Sequence, residues 1–398
     1  MSARKPARGQ RDVAVVGGGV VGAATALGFA RLGLSVALVE ARMPAPWSAA
    51  SPDLRVYALA PDNVAWLDTL GAWDHVRRAR AHPYRRMYVR DAAGGGALAF
   101  DADTLGRREL GWIVEHGLLV DRLWSAMAQA GVAVHPGSSV VSLVQDDDVA
   151  TLGLADGSPL VARLAVAADG ARSVLRALAG IKVDGQGHGQ RAVVGYVQGS
   201  ESHRDTAWQR FLPSGPLAVL PCGDGGWTSS IVWTLPDAEA ARVLDLDDVA
   251  FARELTGASD RWLGELEPVS PRVAFPLRTQ LARTQHAGRV VVVGDAAHVV
   301  HPLAGQGVNL GLRDAAALQV HAMRMLASAR DWSSAHGLAR WARTRRSDAA
   351  MSARAFDAIN RACSNAHPLA TAVRGPLLGI AGRIAPLRRA LWRHAAGT

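Results

Sequence analysis

Four residues near the amino terminus, Gly17, Gly19, Gly22 and Glu40, have the types and spacing to hold a diphosphate joined to a sugar. The glycines fall in Gly17-Gly18-Gly19-Val20-Val21-Gly22, which satisfies G-x-G-x-x-G, and the acid follows 23 residues after the first of them. Gly17 permits a tight turn, Gly19 lets bare backbone approach a pyrophosphate, and Gly22 lets helix and strand pack closely. A carboxylate about 20 residues on accepts hydrogen bonds from ribose hydroxyls. Arg42 suits an adenine or phosphate contact and equally a solvated surface. Two further acidic motifs lie far downstream, Asp169-Gly170 and Gly294-Asp295. After the second come His298 and the run His301-Pro302-Leu303-Ala304-Gly305-Gln306-Gly307-Val308-Asn309-Leu310-Gly311. Carboxylates at such places bind polyol hydroxyls, and a glycine-rich helix start turns N–H groups toward an anionic ligand. A histidine beside a glycine loop more often braces backbone than acts as a base.

These residues need elements to position them. Asp12 to Val16 reads as a buried strand, Val20 to about Leu32 as a helix, Gly33 as a turn, and Leu34 to Val39 as a second strand closed by Glu40. That is a complete β-α-β unit, which by itself suits FAD or NAD. Ala165 to Arg172 is a small-residue strand that ends at Asp169-Gly170, with a helical turn from Ser173 to Leu178. Arg289 to Gly294 is another apolar strand. Both aspartates therefore end parallel-type strands, where ligands of open α/β sheets sit.

The 398 residues are 49% apolar and 20% charged, ample for two joined domains with large cores. The formal charge is +9, carried by 44 basic residues of which all but Lys5 and Lys182 are arginine. They form no basic run interleaved with aromatics, so nucleic acid is not expected as a partner, while anionic cofactors or an anionic membrane surface are. Cys222 and Cys363 are too few and too isolated for a disulfide framework, a zinc site or an iron–sulfur cluster, and no metal is expected. The polar, basic start from Met1 to Arg11 reads as no signal peptide, and no run of about 18 apolar residues spans a membrane. A cytoplasmic protein, with peripheral membrane contact, is expected.

The order of the three motifs resembles the class A flavin aromatic hydroxylases. Arg55-Val56-Tyr57-Ala58-Leu59, Leu70-Gly71-Ala72-Trp73, the stretch from Trp208 to Leu217, Phe275-Pro276-Leu277-Arg278 and the run from His301 to Gly311 are similar to the ubiquinone-biosynthesis branch of that family. The resemblance covers Asp12 to about Pro386. It implies that Gly17, Gly19, Gly22 and Glu40 bind the ADP half of FAD, that Arg55 reaches the pyrophosphate and that Asp169 and Gly170 brace the phosphates. It implies too that Gly294-Asp295 holds the ribityl chain and that Pro302, Gly305, Gln306, Gly307 and Asn309 line the isoalloxazine. NAD(P)H then visits as a transient co-substrate, O2 adds at flavin C4a, and an electron-rich phenol, polyprenylated in this branch, takes up the oxygen. Two positions depart from the pattern: Val120 stands where a glutamine is common, and His188 where relatives often carry tyrosine.

The expected fold is α/β. A discontinuous Rossmann-like FAD-binding domain takes 1–80, 105–180 and 270–335, and a mostly antiparallel substrate domain takes 81–104 and 181–269. A helical region takes 336–398. Ala192–Val197, Leu217–Leu220 and Ser229–Trp233 read as strands of the substrate sheet, and Ala92–Ala97 as a hairpin tip. The final stretch sets Leu377, Leu378, Ile380, Ile384, Leu387, Leu391 and Trp392 among arginines. It suits either an anionic bilayer or biosynthetic complex, or a helix packed on its own domain. Other readings are a hydroxylase of a soluble aromatic acid or secondary metabolite, and a non-catalytic flavoprotein-like scaffold. Flavin halogenases are disfavoured, because Trp233-Thr234-Leu235-Pro236 is not their Trp-x-Trp-x-Ile-Pro motif.

Overall fold

The computed structural model describes residues 9–92, 96–223, 225–300 and 306–363, with 392 and 396–397. The chain opens with β1 (Arg11–Val16), α1 (Val20–Arg31) and β2 (Val36–Glu40). Next come β3 (Val56–Leu59), α2 (Pro61–Thr69), α3 (Trp73–Arg80), β4 (Ala81–Tyr84) and the hairpin β5 (Arg86–Asp91) and β6 (Ala97–Asp101). They lead to β7 (Gly111–Glu115), α4 (His116–Gln129), β8 (Ala133–Pro136), β9 (Val140–Gln145), β10 (Ala150–Leu154), β11 (Pro159–Ala167) and the short α5 (Val174–Leu178). The second half begins with β12 (Val183–Gly199), β13 (Thr206–Leu212), β14 (Gly215–Pro221) and β15 (Thr228–Pro236). It continues with α6 (Asp237–Asp245), α7 (Asp248–Ala258), β16 (Leu266–Pro268) and β17 (Val273–Ala282). Last come β18 (His286–Ala287), β19 (Val290–Val292), β20 (His298–Val299), α8 (Gln306–Ala327) and α9 (Ala335–Cys363).

Three sheets result. The first runs β18-β19-β11-β1-β2-β8, with β10 and β9 added beside β11, and its central pairs are parallel. Alternation of side chains divides its strands between two cores. Val13, Val15, Leu38, Leu164 and Val166 face α1, α4 and α8, while Ala14, Ala37, Val39, Ala165 and Ala167 face the opposite layer. Burial on both faces explains why these strands are apolar throughout.

The second sheet runs β20-β17-β12-β15-β14-β13-β5-β6, with β16 beside β12. It is antiparallel as expected except where β5, arriving from the first half of the chain, pairs parallel with β13. Strand β17 lies in this sheet, although 270–335 reads as cofactor domain in the sequence. A small antiparallel sheet, β3-β7-β4, stands between the two larger ones. The hairpin expected around Ala92–Ala97 is present as β5 and β6, and the arginine-rich stretch 374–391 lies outside the described residues.

Candidate functional site

Register brings the motifs together. Val16 pairs with Val39 on one side and Ala167 on the other, and Ala167 pairs with Val292. The next residues on these strands, Gly17, Glu40, Ala168 and Val293, therefore leave one edge of the sheet side by side. Backbone bonds continue the rung: Gly17 N–H donates to Val39 O (2.8 Å), Ala168 N–H to Val16 O (2.8 Å) and Val293 N–H to Ala167 O (3.0 Å). Motifs separated by more than a hundred residues thus open onto one cavity.

That cavity has a volume of about 850 Å³, near the upper end for small-molecule sites. Gly17, Gly19, Glu40, Arg55, Asp169, Gly170, Asp295 and Gly307 all line it. A methyl group added at Gly19, Gly170 or Gly307 would meet no atom within 4 Å, so bare backbone faces open space at all three. Its lining includes Glu40, Ala41 and Ser138–Val140 from the first sheet and the aliphatic residues Ala192, Val194, Ala218, Leu220 and Val232 from the second. Such a slot, with polar and aliphatic lining and open glycine backbone at a helix start, fits an extended dinucleotide cofactor.

The polar side chains are held from behind. Glu40 accepts the backbone N–H groups of Gly18 and Arg42, and Trp124 of α4 donates from Nε1 to Gly18 O (2.7 Å), so the glycine loop is clamped on two sides. Asp169 accepts from the Ser173 hydroxyl and from the N–H groups of Val174 (2.7 Å) and Leu175 (3.3 Å), capping the start of α5. Arg176, on that helix, is buried and donates to Ala171 O (3.0 Å) and Ala296 O (2.9 Å). It ties the Asp169 loop to the Asp295 loop.

Asp295 turns its carboxyl into the cavity; burial raises its pKa, and His298, Arg55 and Arg278 pull it back. Behind it lies a fully buried ionic cluster. Asp314 accepts from His298 Nε2 (2.6 Å), from Arg345 Nε (2.8 Å) and from the backbone N–H of Gly294 (3.1 Å). Burial alone would lower His298, but the Asp314 charge and hydrogen bond, with Asp295 behind them, hold it above the ordinary value. Burial would raise Asp314, and the two cations outweigh it. His298 is thus a brace, and it acts through Asp314 on the turn that carries Asp295.

Some expected residues stand elsewhere. A methyl group on Gly22 would come within 1.9 Å of Gly17 O, so Gly22 serves the packing of α1 on the loop. Gly294 packs on Val21, and Arg42 is exposed outside the cavity lining. Asn309 is fully buried: its Oδ1 accepts from Ala60 N–H (2.8 Å) and Asn63 Nδ2 (2.9 Å), and its Nδ2 donates to Ala58 O (2.8 Å). It joins α8 to β3 and α2 and is not among the cavity-lining residues. Pro302, Gly305 and the side chain of Gln306 lie outside the described residues, as does His301. Val120 is buried in the core under α1, and His188 lies 2.8 Å from Thr279 Oγ1, away from the cavity.

Other lining residues come from stretches that carry the family resemblance. Tyr57 Oη lies 2.9 Å from His116 Nδ1; burial pushes the Tyr57 phenol up to about 12 and lowers His116. Arg55 stacks 5.4 Å from the Phe275 ring centroid on β17. Strand alternation in Val56–Leu59 could have placed Tyr57, but nothing in the sequence pairs it with His116.

The FAD binding domain family matches residues 10–355. The chain is 36% identical to the 3-demethoxyubiquinol 3-hydroxylase of Escherichia coli, over 97% of this chain and 98% of that one. It is 36% identical to ubiquinone hydroxylase UbiL of Rhodospirillum rubrum, over 97% and 90%. Among solved structures, p-nitrophenol 4-monooxygenase PnpA of Pseudomonas putida superposes with a TM-score of 0.78 at 22% identity, covering 97% of this chain and 98% of that one.

Proposed function

The chain belongs to the FAD binding domain family and is an FAD-dependent monooxygenase that hydroxylates an aromatic ring in ubiquinone biosynthesis, and we propose that its substrate is a prenylated, uncharged phenol or hydroquinone. The observation that carries the substrate reading is the cavity wall. On β12, β14 and β15 the described lining residues are Ala192, Val194, Ala218, Leu220 and Val232, and the cations that line the rest of the cavity, Arg55, Arg172 and Arg278, lie off those three strands. A soluble aromatic acid would leave its charge unpaired against that wall, which is costly. An adjoining apolar pocket shares Ala218 and Leu220 and adds Tyr84, Met87, Phe100 and Leu110, a suitable place for the start of a prenyl tail.

The overall reaction consumes the ring substrate, O2, NAD(P)H and a proton, and yields the hydroxylated ring, water and NAD(P)+. When bound, FAD supplies the two-electron reduction and oxygen activation that side chains cannot. The chain's own residues hold and exclude. In our assignment Gly17, Gly19 and the start of α1 take the pyrophosphate, with Gly22 keeping the helix close. Glu40 has acceptor capacity left beyond its two backbone bonds for ribose hydroxyls, and Arg55 adds a positive charge. Asp169 and Gly170 shape the loop beside the phosphates, and Asp295 takes the ribityl hydroxyls from a turn that Gly294 packs against Val21. Gly307, in the first turn of α8, lines the ring system, and Asn309 holds that helix. The aliphatic wall keeps water from the reacting ring.

The test compares substrates. Purified flavoprotein is given a short-chain demethoxyubiquinol and a panel of soluble hydroxybenzoates, and products are identified by mass. Oxygen insertion into the quinol with a higher kcat/KM is expected; equal or better turnover of the acids sinks the reading.

A further inference from the structure

We propose that His82, His203 and Asp205 form a binding site for one divalent transition-metal ion of the zinc class, outside the cofactor cavity. His82 lies on β4, and His203 and Asp205 lie in the loop that leads into β13. A ligand atom from each lies within 4.8 Å of the other two.

The hydrogen-bond pattern leaves lone pairs facing one another. His82 Nδ1 is 3.1 Å from Gly223 O, a carbonyl that can only accept, so Nδ1 carries a proton. In the neutral ring Nε2 then bears a lone pair, and it faces Asp205 Oδ1 at 3.1 Å. At this distance either the ring is an imidazolium that donates to Asp205 or the two acceptors share a metal ion. His203 Nδ1 accepts the Asp205 N–H (3.1 Å), and a metal ion bound there would take the place of that hydrogen bond. A proton on His82 Nε2 joins only His82 to Asp205, whereas a metal ion would draw in His203 as the third member of the group.

The surroundings agree. A backbone carbonyl that takes the second ring N–H of a histidine is the usual outer support of a metal ligand. His203 is 1% exposed and its Nε2 has no hydrogen bond, an expensive way to place an imidazole unless its other nitrogen is strongly engaged. Its ring meets that of His82 edge-on, with centroids 5.0 Å apart. Arg204 (φ 47°) and Asp205 (φ 52°) hold left-handed backbone although neither is glycine, and this turn brings the carboxylate back over the histidines. Two imidazoles and one carboxylate suit zinc and leave a fourth position for water. The Asp205 side chain is 45% exposed and His82 lines a cavity of about 140 Å³, so an ion and its water have a way in. Ligand atoms on a tetrahedral zinc stand about 3.4 Å apart, so rotation of His82 and Asp205 completes the shell.

Flavin-loaded full-length protein is stripped of metal with a chelator, titrated with Zn2+ near neutral pH by calorimetry, then desalted for elemental analysis. One retained Zn2+ per chain and a raised unfolding temperature are expected. His82→Gln and Asp205→Asn, both at accessible positions, should each weaken binding by more than about 100-fold, beyond the 10–100-fold that loss of an outer-shell partner brings. Co2+ in place of Zn2+ should add tetrahedral absorption bands to the red of the flavin in wild type and not in either variant. The proposal is overturned if no Zn2+ is retained, or if it binds equally well to both variants. It is overturned too if Zn2+ leaves unfolding unchanged while His82→Gln and Asp205→Asn each lower the unfolding temperature of metal-free protein, which would make the pair a plain imidazolium–carboxylate bridge.

Discussion

Gly17 and Gly19 sit two residues apart in one loop, yet a methyl group on each would meet opposite surroundings. At Gly17 it would come within 2.4 Å of Ala168 O on a backbone with φ of +102°; at Gly19 it would meet nothing. Gly17→Ala should therefore destabilise the protein even without flavin, by roughly 3 kcal/mol or more. Gly19→Ala should leave the unfolding of flavin-free protein within about 0.5 kcal/mol of wild type. Its FAD affinity should fall at least about tenfold, or 1.4 kcal/mol, because the cofactor and not the protein occupies that space. Denaturant unfolding of the apoproteins, with fluorescence titration of FAD, separates the two. Equal effects of both changes on apoprotein stability would refute the distinction.

Also at this scale, Asp314→Asn leaves His298 and Arg345 buried without their anion and should cost about 3–5 kcal/mol, with loss of flavin from the Gly294-Asp295 turn. The pH dependence follows from the two shifts. Asp314 is lowered, so its share of stability is present above the ordinary 3.8 and is lost as pH falls through its folded value. His298 is raised, so its share is present below the ordinary 6.5 and is lost as pH rises through its folded value. The gap between wild type and Asp314→Asn should be widest between those limits and shrink in alkali, the remainder being held by Arg345. A gap that grows with pH would contradict the ion pair. Only part of this was legible in the sequence: His298 read as a backbone brace, while Asp314 and Arg345 belonged to no motif.

Among elements, α8 shows how a side chain near a site can serve the frame. Asn309 reads as a ring-lining residue in the sequence, but its amide is consumed by Ala58, Ala60 and Asn63. Asn309→Ala strands a buried N–H and a buried C=O, and should cost roughly 2–4 kcal/mol. Hydrogen exchange at Ala60 should quicken more than exchange on β1; uniform behaviour would argue against a local tie. Apolar runs announced β1 and β2 and the core of β12, β14 and β15, but the strand read at Ala165–Arg172 is β11 at Pro159–Ala167 and overlaps it only at Ala165–Ala167. The two-residue strands β18 and β20 are too short for any period, and β17 joined the second sheet through pairing with β12, a choice its own residues do not encode.

For the whole molecule, the large cavity and the adjoining apolar pocket, to which we assign the prenyl tail, share Ala218 and Leu220. Ala218→Phe should block that passage, so turnover of a long-chain quinol falls while an unprenylated analogue is still accepted; parallel loss of both would place the tail elsewhere. Among the described residues no helix is long and apolar enough to cross a membrane. The +9 charge and a lipid-soluble substrate lead us to propose peripheral contact with anionic lipid. Co-sedimentation with anionic vesicles at low salt, released at about 0.5 M salt where screening is strong, is expected; no binding at low salt would end that proposal.

The sequence by itself determined the β-α-β unit, the identity of the three strand-end motifs and the alternation that builds the aliphatic wall, because each depends on neighbours within one element. Tertiary structure alone decided that Val39, Val16, Ala167 and Val292 stand in one rung, that Asn309 ties and does not line, and that His82 meets His203 and Asp205. Those contacts join residues tens to hundreds of positions apart, and local spacing carries no record of which strand a given strand will pair with.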